Sequence, residues 1–150
     1  MDNKTENSQT LINRGRNVLQ EEAQEIINAT SNINDNFAKA INIILNTHGK
    51  VIVSAIGKPG YIAHKISATF ASTGTPSFYL HPAEALHGDL GRVSPQDVML
   101  LLSNSGETAE IIAMLPQLKR SGVPIISLCG SPDSTLAQHS DVVIASQVAR

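Results

Sequence analysis

The sequence has 150 residues, of which 41% are hydrophobic and 16% are charged, and its formal net charge is −2. This length suits a single domain with a buried core, and the absence of a basic run argues against a nucleic-acid partner. No apolar stretch reaches transmembrane length, and the polar start lacks a signal-peptide pattern. The single cysteine, Cys129, excludes an internal disulfide. We therefore expect a cytoplasmic protein that makes no membrane contact.

The first part of the chain is predicted to be helical. Residues 1–10 are polar and are expected to be flexible. Apolar residues then recur at helical spacing over 11–29, and a second helix is predicted from Asn34 to Asn46. The residues that carry this pattern are Leu11, Ile12, Val18, Leu19, Ala23, Ile26 and Ile27, then Phe37, Ile41, Ile44 and Leu45.

Short apolar runs alternate with helical stretches in the rest of the chain. The runs are 50–55, 77–80, 98–102, 124–128 and 141–145, and the helical stretches are near 60–73, 84–90, 108–120 and 133–139. Their apolarity is continuous, which is typical of strands covered on both faces. We predict a doubly wound, five-stranded parallel α/β sheet preceded by two helices, in a single domain over 11–150. Residues 11–46 would be helical, 50–150 would form the α/β core, and ligands would bind at the carboxyl ends of the strands.

A hydroxyl-rich loop follows the apolar run 98–102. It contains Ser103, Ser105, Gly106 and Thr108, and a helix is predicted to begin there. Free N–H groups and the positive end of a helix dipole favour an anion, and the hydroxyl groups add donors. Helix capping is the alternative, but it needs one hydroxyl, whereas this loop offers three. Neither a Walker motif nor a dinucleotide fingerprint is present, so a compact phosphorylated metabolite is the better candidate.

The loop after the first predicted strand contains Gly57, Lys58 and Pro59. Glycine permits close backbone approach, lysine supplies a cation, and proline suits the first turn of a helix. Lys58 either faces a ligand or is a solvated turn residue.

The segment after the second predicted strand, 81–89, holds His81, Glu84, His87 and Asp89. His87 and Asp89 suit a divalent metal, a hydrogen bond to a sugar hydroxyl, or acid–base chemistry. Capping and surface polarity are the alternative. A structural zinc site is disfavoured, because it usually needs four ligands.

Two carboxylates, Glu107 and Glu110, lie three residues apart at the start of the helix predicted over 108–120. This spacing places them on roughly one face. Carboxylates also stabilise the first turn through the helix dipole, so each has a structural alternative to a chemical role.

Together these motifs resemble the sugar isomerase (SIS) domain, whose signature is a strand followed by Ser-x-Ser-Gly-x-Thr. The stretches GKPG, ATFASTGTPSFYLHPAEALHGDLG and SNSGETAEI are more narrowly similar to the D-arabinose 5-phosphate isomerase family. The likeness covers residues 50–150 well and the helical start loosely. The HPAEALHGDLG stretch is far more specific than the serine signature, and it argues against an isomerase of ketohexose phosphates.

The resemblance implies a flavodoxin-like fold and the interconversion of arabinose 5-phosphate and ribulose 5-phosphate, which supplies a precursor of Kdo for lipopolysaccharide or capsule. It implies a homo-oligomer, a dimer or tetramer, and no required cofactor. Lys58 and Glu110 match positions linked to catalysis, and His87 also matches the position that takes up zinc. The substrate-binding positions would be Gly74, Thr75, His81, His87, Ser103, Ser105 and Thr108.

The sequence departs from the family pattern in two ways. Pro59 replaces a serine, which removes a hydroxyl and a backbone donor. Family members also continue beyond the equivalent of Arg150 with a segment that carries another glutamate and a histidine, and many then carry CBS modules. We therefore expect either a shortened isomerase or a non-catalytic sugar-phosphate-binding module or sensor.

Overall fold

The computed structural model describes residues 7–147, which fall into two compact units, residues 7–31 and residues 32–147. The helices are α1 (Ser8–Asn28), α2 (Asp35–Leu45), α3 (Lys58–Ser72), α4 (Pro82–Leu86), α5 (Ala109–Ser121) and α6 (Thr135–Gln138). The strands are β1 (Val51–Ser54), β2 (Ser77–Tyr79), β3 (Val98–Ser103), β4 (Ile125–Cys129) and β5 (Val142–Ala145), and 3-10 turns span Ala29–Asn32 and Asp89–Arg92.

Helix α1 forms the first unit and begins earlier than predicted. The Asn7 side chain accepts a hydrogen bond from the Gln9 N–H at 3.1 Å, which caps the helix at its start. The structure places residues 8–10 in α1, where a flexible start is expected from the sequence, and residues 1–6 lie outside the described part. Within residues 7–147, no helix combines the length and the apolarity needed to cross a membrane.

The second unit is built on one parallel sheet with the strand order β2-β1-β3-β4-β5. The predicted five-stranded parallel sheet is confirmed, and this order is that of flavodoxin-like folds. After β1 the chain moves to one side of the sheet, and after β3 it moves to the other. The order therefore reverses at the β1–β3 pair.

Helices cover both faces of the sheet. Ile52, Met99 and Ile125 pack in one core with residues of α4, α5 and α6. Their strand neighbours Val53 and Ile126 face the opposite core, formed with α2 and α3. Because successive strand residues point to opposite faces, both sets must be apolar. This confirms the doubly wound architecture.

The predicted helix over 84–90 is wrong in its extent. Helix α4 ends at Leu86, and Gly88 follows with a φ of +127°, which breaks the helix before the 3-10 turn Asp89–Arg92. A positive φ is strained for residues with a side chain, so glycine marks the break.

Asp97 joins the starts of β1 and β3 at the amino-terminal edge of the sheet. Its buried carboxylate accepts hydrogen bonds from the N–H groups of Lys50 and Ser94, both at 2.8 Å. The Lys50 Nζ lies 3.1 Å away. Burial raises the pKa of Asp97, but the hydrogen bonds from Ser94 and Lys50 outweigh burial and hold the pKa below its usual value.

We expect Asp97→Asn to lower the free energy of unfolding by about 2 kcal/mol at neutral pH, because an amide leaves one of the buried donors unpaired. A lowered folded-state pKa means that this stabilisation is complete above the unfolded-state pKa and is lost as the pH falls through the folded-state value. Urea unfolding should therefore show the two proteins converging in acid. A constant difference at all pH values would contradict the assignment, and exposed Asp133→Asn is the control.

Candidate functional site

The parallel pairing of β1 with β3 brings two predicted loops side by side at the carboxyl edge of the sheet. β1 pairs directly with β3, with Ser54 opposite Leu101. The loop after β1 leads to Lys58 at the start of α3, and the loop after β3 runs from Ser103 to α5. These two loops lie where a doubly wound sheet binds its ligands.

Ser103 and Thr108 close the hydroxyl-rich loop by contacting each other. The two hydroxyl oxygens lie 2.7 Å apart, and the buried Ser103 Oγ also accepts from the Gly106 N–H at 3.1 Å. Thr108 occupies the N-cap position of α5, but its side chain accepts no N–H of that helix. The N–H groups in the first turn of α5 are therefore not hydrogen-bonded to the N-cap side chain. An anion site at a helix N-terminus requires N–H groups of this kind.

Ser105 behaves differently from the other two hydroxyl residues. It is exposed, and its Oγ accepts from the Glu107 N–H at 3.2 Å. Because Glu107 precedes the N-cap of α5, this hydrogen bond closes a turn within the loop and does not cap the helix, and Ser105 remains exposed.

Gly106 allows the loop to pack against the segment before α6. Its φ is +68°, and a Cβ at this position would overlap the Ser134 side chain. Its carbonyl accepts from the Leu136 N–H at 3.0 Å. Glycine is therefore needed here both for its backbone conformation and for the close approach.

The loop that precedes Lys58 is held by a residue of the neighbouring strand. The Tyr79 hydroxyl donates to the Ala55 carbonyl at 2.7 Å, and Gly57 then turns the chain with a φ of +69°. Lys58 is exposed at the first position of α3, and Pro59 lies in the first turn, as predicted.

His81 lies at the carboxyl end of β2 beside the same tyrosine. Its Nδ1 accepts from the Ala83 N–H at 3.2 Å and caps α4, which is the structural alternative weighed for this residue. The ring makes an edge contact with Tyr79, with the centroids 6.3 Å apart, and His64 stacks on Tyr79 with a centroid distance of 3.7 Å.

His87 is exposed at the C-terminal end of α4. Asp89, its predicted companion, forms an ion pair with Arg92 at 3.2 Å. Among the described residues, no three His, Cys, Asp or Glu side chains come together to hold a metal. One chain therefore does not complete the zinc site that the resemblance implies at His87.

The two glutamates of the serine loop have different surroundings. Glu110 is half-buried in the first turn of α5. The Glu107 carboxylate instead accepts from the Thr135 N–H at 2.6 Å, and this hydrogen bond lowers the pKa of Glu107.

Gly74 and Thr75 are not brought to this edge. They precede β2, and the following residue, Pro76, accepts from the N–H of Val51 at the start of β1. Residues before a parallel strand lie on the edge opposite to those after it, about 13 Å away for a four-residue strand. Within one chain they therefore lie on the opposite edge of the sheet from Ser103.

Sequence reasoning did not single out two residues that shape the site, Tyr79 and Ser134. Tyr79 sits in an apolar run that indicates a strand and nothing more. Ser134 precedes a short helix, and no local pattern links it to Gly106, 28 residues earlier in the chain.

The sequence profile of the SIS domain matches residues 43–150, which include all five strands and both loops at the carboxyl edge. The chain belongs to the SIS domain family. Arabinose 5-phosphate isomerase KdsD of Escherichia coli K12 is 48% identical over 136 residues, which are 91% of this chain and 42% of that protein. Arabinose 5-phosphate isomerase GutQ of E. coli CFT073 is 46% identical over 143 residues, covering 95% and 44%. The chain thus spans about two fifths of the length of these relatives.

A solved structure supports the same assignment of this SIS domain. The E. coli CFT073 protein c3406, in complex with arabinose 5-phosphate, has 43% sequence identity and a TM-score of 0.90. The match covers 96% of this chain and 77% of that one.

Gly106→Ala should destabilise the SIS domain more than Gly122→Ala. Both glycines have a positive φ, +68° and +73°, but a Cβ has open space at Gly122 and overlaps Ser134 at Gly106. We expect losses of about 1 kcal/mol at Gly122 from backbone strain and about 3 kcal/mol at Gly106 from strain and overlap. Chemical unfolding measures both, and equal losses would contradict the close approach.

Proposed function

We propose that this SIS domain is the catalytic core of an aldose–ketose isomerase that interconverts D-arabinose 5-phosphate and D-ribulose 5-phosphate. The observation that carries the proposal is the hydroxyl-rich loop at the N-terminus of α5, in a chain 43% identical to a protein solved in complex with arabinose 5-phosphate. A phosphorylated sugar suits an anion site with additional donors.

The phosphate would be held by Ser103, Ser105 and Thr108 together with N–H groups of the first turn of α5. Isomerisation removes the proton on C2 of the aldose, forms an enediolate, and returns a proton to C1. Glu110 would act as the base or the acid in these transfers, and the Lys58 ammonium would stabilise the negative charge on the enediolate oxygens. Both residues follow strands that are neighbours at the carboxyl edge.

The sugar would be contacted by His81 and His87, which follow β2 at the same edge. The proposed reaction moves protons and requires no cofactor. Zinc at His87 stays a proposal without a step in this mechanism, since no three His, Cys, Asp or Glu side chains come together among the described residues.

We propose a homo-oligomer, either a dimer or a tetramer, and the position of Gly74 and Thr75 supports it. They lie on the opposite edge of the sheet from Ser103. A contact between these residues and the substrate therefore requires a second copy of the chain. We further propose that the enzyme acts in the cytoplasm and supplies the Kdo precursor for lipopolysaccharide or capsule.

A second candidate function is sugar-phosphate binding without turnover, as in a sensor. The specific observation in its favour is that the hydroxyl-rich loop is shaped within a single chain, by Ser134 and Leu136, without Gly74 and Thr75. Phosphate binding alone would need no more than this loop.

Turnover and binding distinguish the two candidates. We expect the chain to convert arabinose 5-phosphate to ribulose 5-phosphate, and Glu110→Gln to slow turnover about a hundredfold or more, because the proton transfer loses its base. Glu21→Gln, on exposed α1, is the matched control. Binding without turnover in the unmodified chain would instead support the sensor.

Ser105→Ala should weaken the binding of arabinose 5-phosphate about tenfold, the cost of one hydrogen bond to a charged group. Calorimetric titration measures the dissociation constant. Ser72→Ala, which removes an exposed hydroxyl at the end of α3, should leave it unchanged. If folded, unmodified protein binds no sugar phosphate, both candidate functions are wrong.

A further inference from the structure

The carboxylate of Glu107 is out of place in a loop that binds a dianion. It immediately precedes Thr108 and would repel a phosphate group bound to the loop. A carboxylate at this position could still be favourable if it stabilised the N-terminus of α5. The structure indicates a different role, because the hydrogen bond of this carboxylate is not made to α5.

Glu107 Oε1 accepts a hydrogen bond from the backbone N–H of Thr135, 28 residues later in the chain, at 2.6 Å. Thr135 is the first residue of α6, so its N–H has no acceptor within that helix. The carboxylate satisfies a donor that would otherwise be free. The same hydrogen bond lowers the pKa of Glu107.

Two further hydrogen bonds join the same two segments. The Gly130 N–H donates to the Asn104 carbonyl at 2.9 Å, and the Leu136 N–H donates to the Gly106 carbonyl at 3.0 Å. Of the three hydrogen bonds, the one to Glu107 is made by a side chain of the loop and is therefore open to substitution. It is also the one nearest to Thr108, where the loop enters α5.

We propose that Glu107 is a positioning residue: its hydrogen bond to Thr135 holds the loop 103–108 in the conformation that binds phosphate. This inference rests on the proposed function and adds a residue to it. A loop fixed before the ligand arrives loses less conformational freedom on binding, which strengthens the complex. The cost is the repulsion between the carboxylate and the phosphate, which the exposed position of Glu107 reduces through solvent screening.

The sign of the effect on binding separates positioning from simple charge. If Glu107 were merely a carboxylate near the anion, both Glu107→Ala and Glu107→Gln would tighten the binding of arabinose 5-phosphate by removing repulsion. If Glu107 positions the loop, Glu107→Ala weakens binding about tenfold. Glu107→Gln retains an oxygen that accepts from Thr135, so it should restore most of the affinity.

A second variant removes the donor instead of the acceptor. Thr135→Pro deletes the N–H at the first position of α6, where proline is well tolerated. Ser134 has φ −69° and ψ 160°, a conformation compatible with a following proline. We expect Thr135→Pro to weaken the binding of arabinose 5-phosphate at least as much as Glu107→Ala, because the repelling carboxylate is still present.

Titration of the full chain with arabinose 5-phosphate at constant ionic strength measures all these variants. Asp133→Ala is the control: it removes an exposed carboxylate from the same segment, and no described hydrogen bond joins that carboxylate to the loop 103–108. Amide hydrogen exchange without ligand should rise at residues 105–108 and 135–136 in Glu107→Ala and stay unchanged in β3. Unfolding midpoints confirm that each variant is folded.

The outcomes are distinct. Weaker binding in Glu107→Ala and Thr135→Pro, with recovery in Glu107→Gln, supports the positioning role. Binding that is unchanged or tighter in Glu107→Ala, while the unmodified chain binds normally, overturns it and leaves the proposed function standing. Absence of binding in the unmodified chain overturns the proposed function, and the positioning role fails with it.

Discussion

The parallel pairing of β1 with β3 determines where the other parts of the core lie. The chain adds β2 on one side of this pair and β4 and β5 on the other. The helices that follow β1 and β3, α3 and α5, consequently cover opposite faces of the sheet. Their entry loops lie at the carboxyl edge, where doubly wound sheets bind their ligands. Lys58 and Ser103 therefore lie in neighbouring loops although 44 residues separate them in the sequence.

The hydroxyl-rich loop takes its shape from the segment that precedes α6. Gly106 packs under Ser134, and Gly130 packs against Asn104, so each segment carries a glycine where the other approaches. Backbone hydrogen bonds at 2.9 and 3.0 Å complete the contact. A loop supported in this way is positioned by a second layer of contacts, which is how proteins hold side chains to within a fraction of an ångström.

The two edges of the sheet differ in their chemistry. At the amino edge, the buried carboxylate of Asp97 accepts hydrogen bonds from the N–H groups of Lys50 and Ser94 and so links the starts of β1 and β3. At the carboxyl edge, a lysine and several hydroxyl residues follow the ends of β1 and β3. Gly74 and Thr75 belong to the amino edge, because every strand of a parallel sheet runs in the same direction. A site that uses both edges can form only between copies of the chain.

The sequence by itself determined the positions of the five strands, since a strand covered on both faces needs a continuous apolar run. It also located the hydroxyl-rich loop, because the change from strand to helix is a local pattern. The break at Gly88 was missed, as tertiary contacts set the limits of short helices. Only the tertiary structure decided the strand order, the edge on which Gly74 lies and the hydrogen bond that the Thr135 N–H donates to Glu107. These depend on contacts between distant segments, about which a local pattern carries no information.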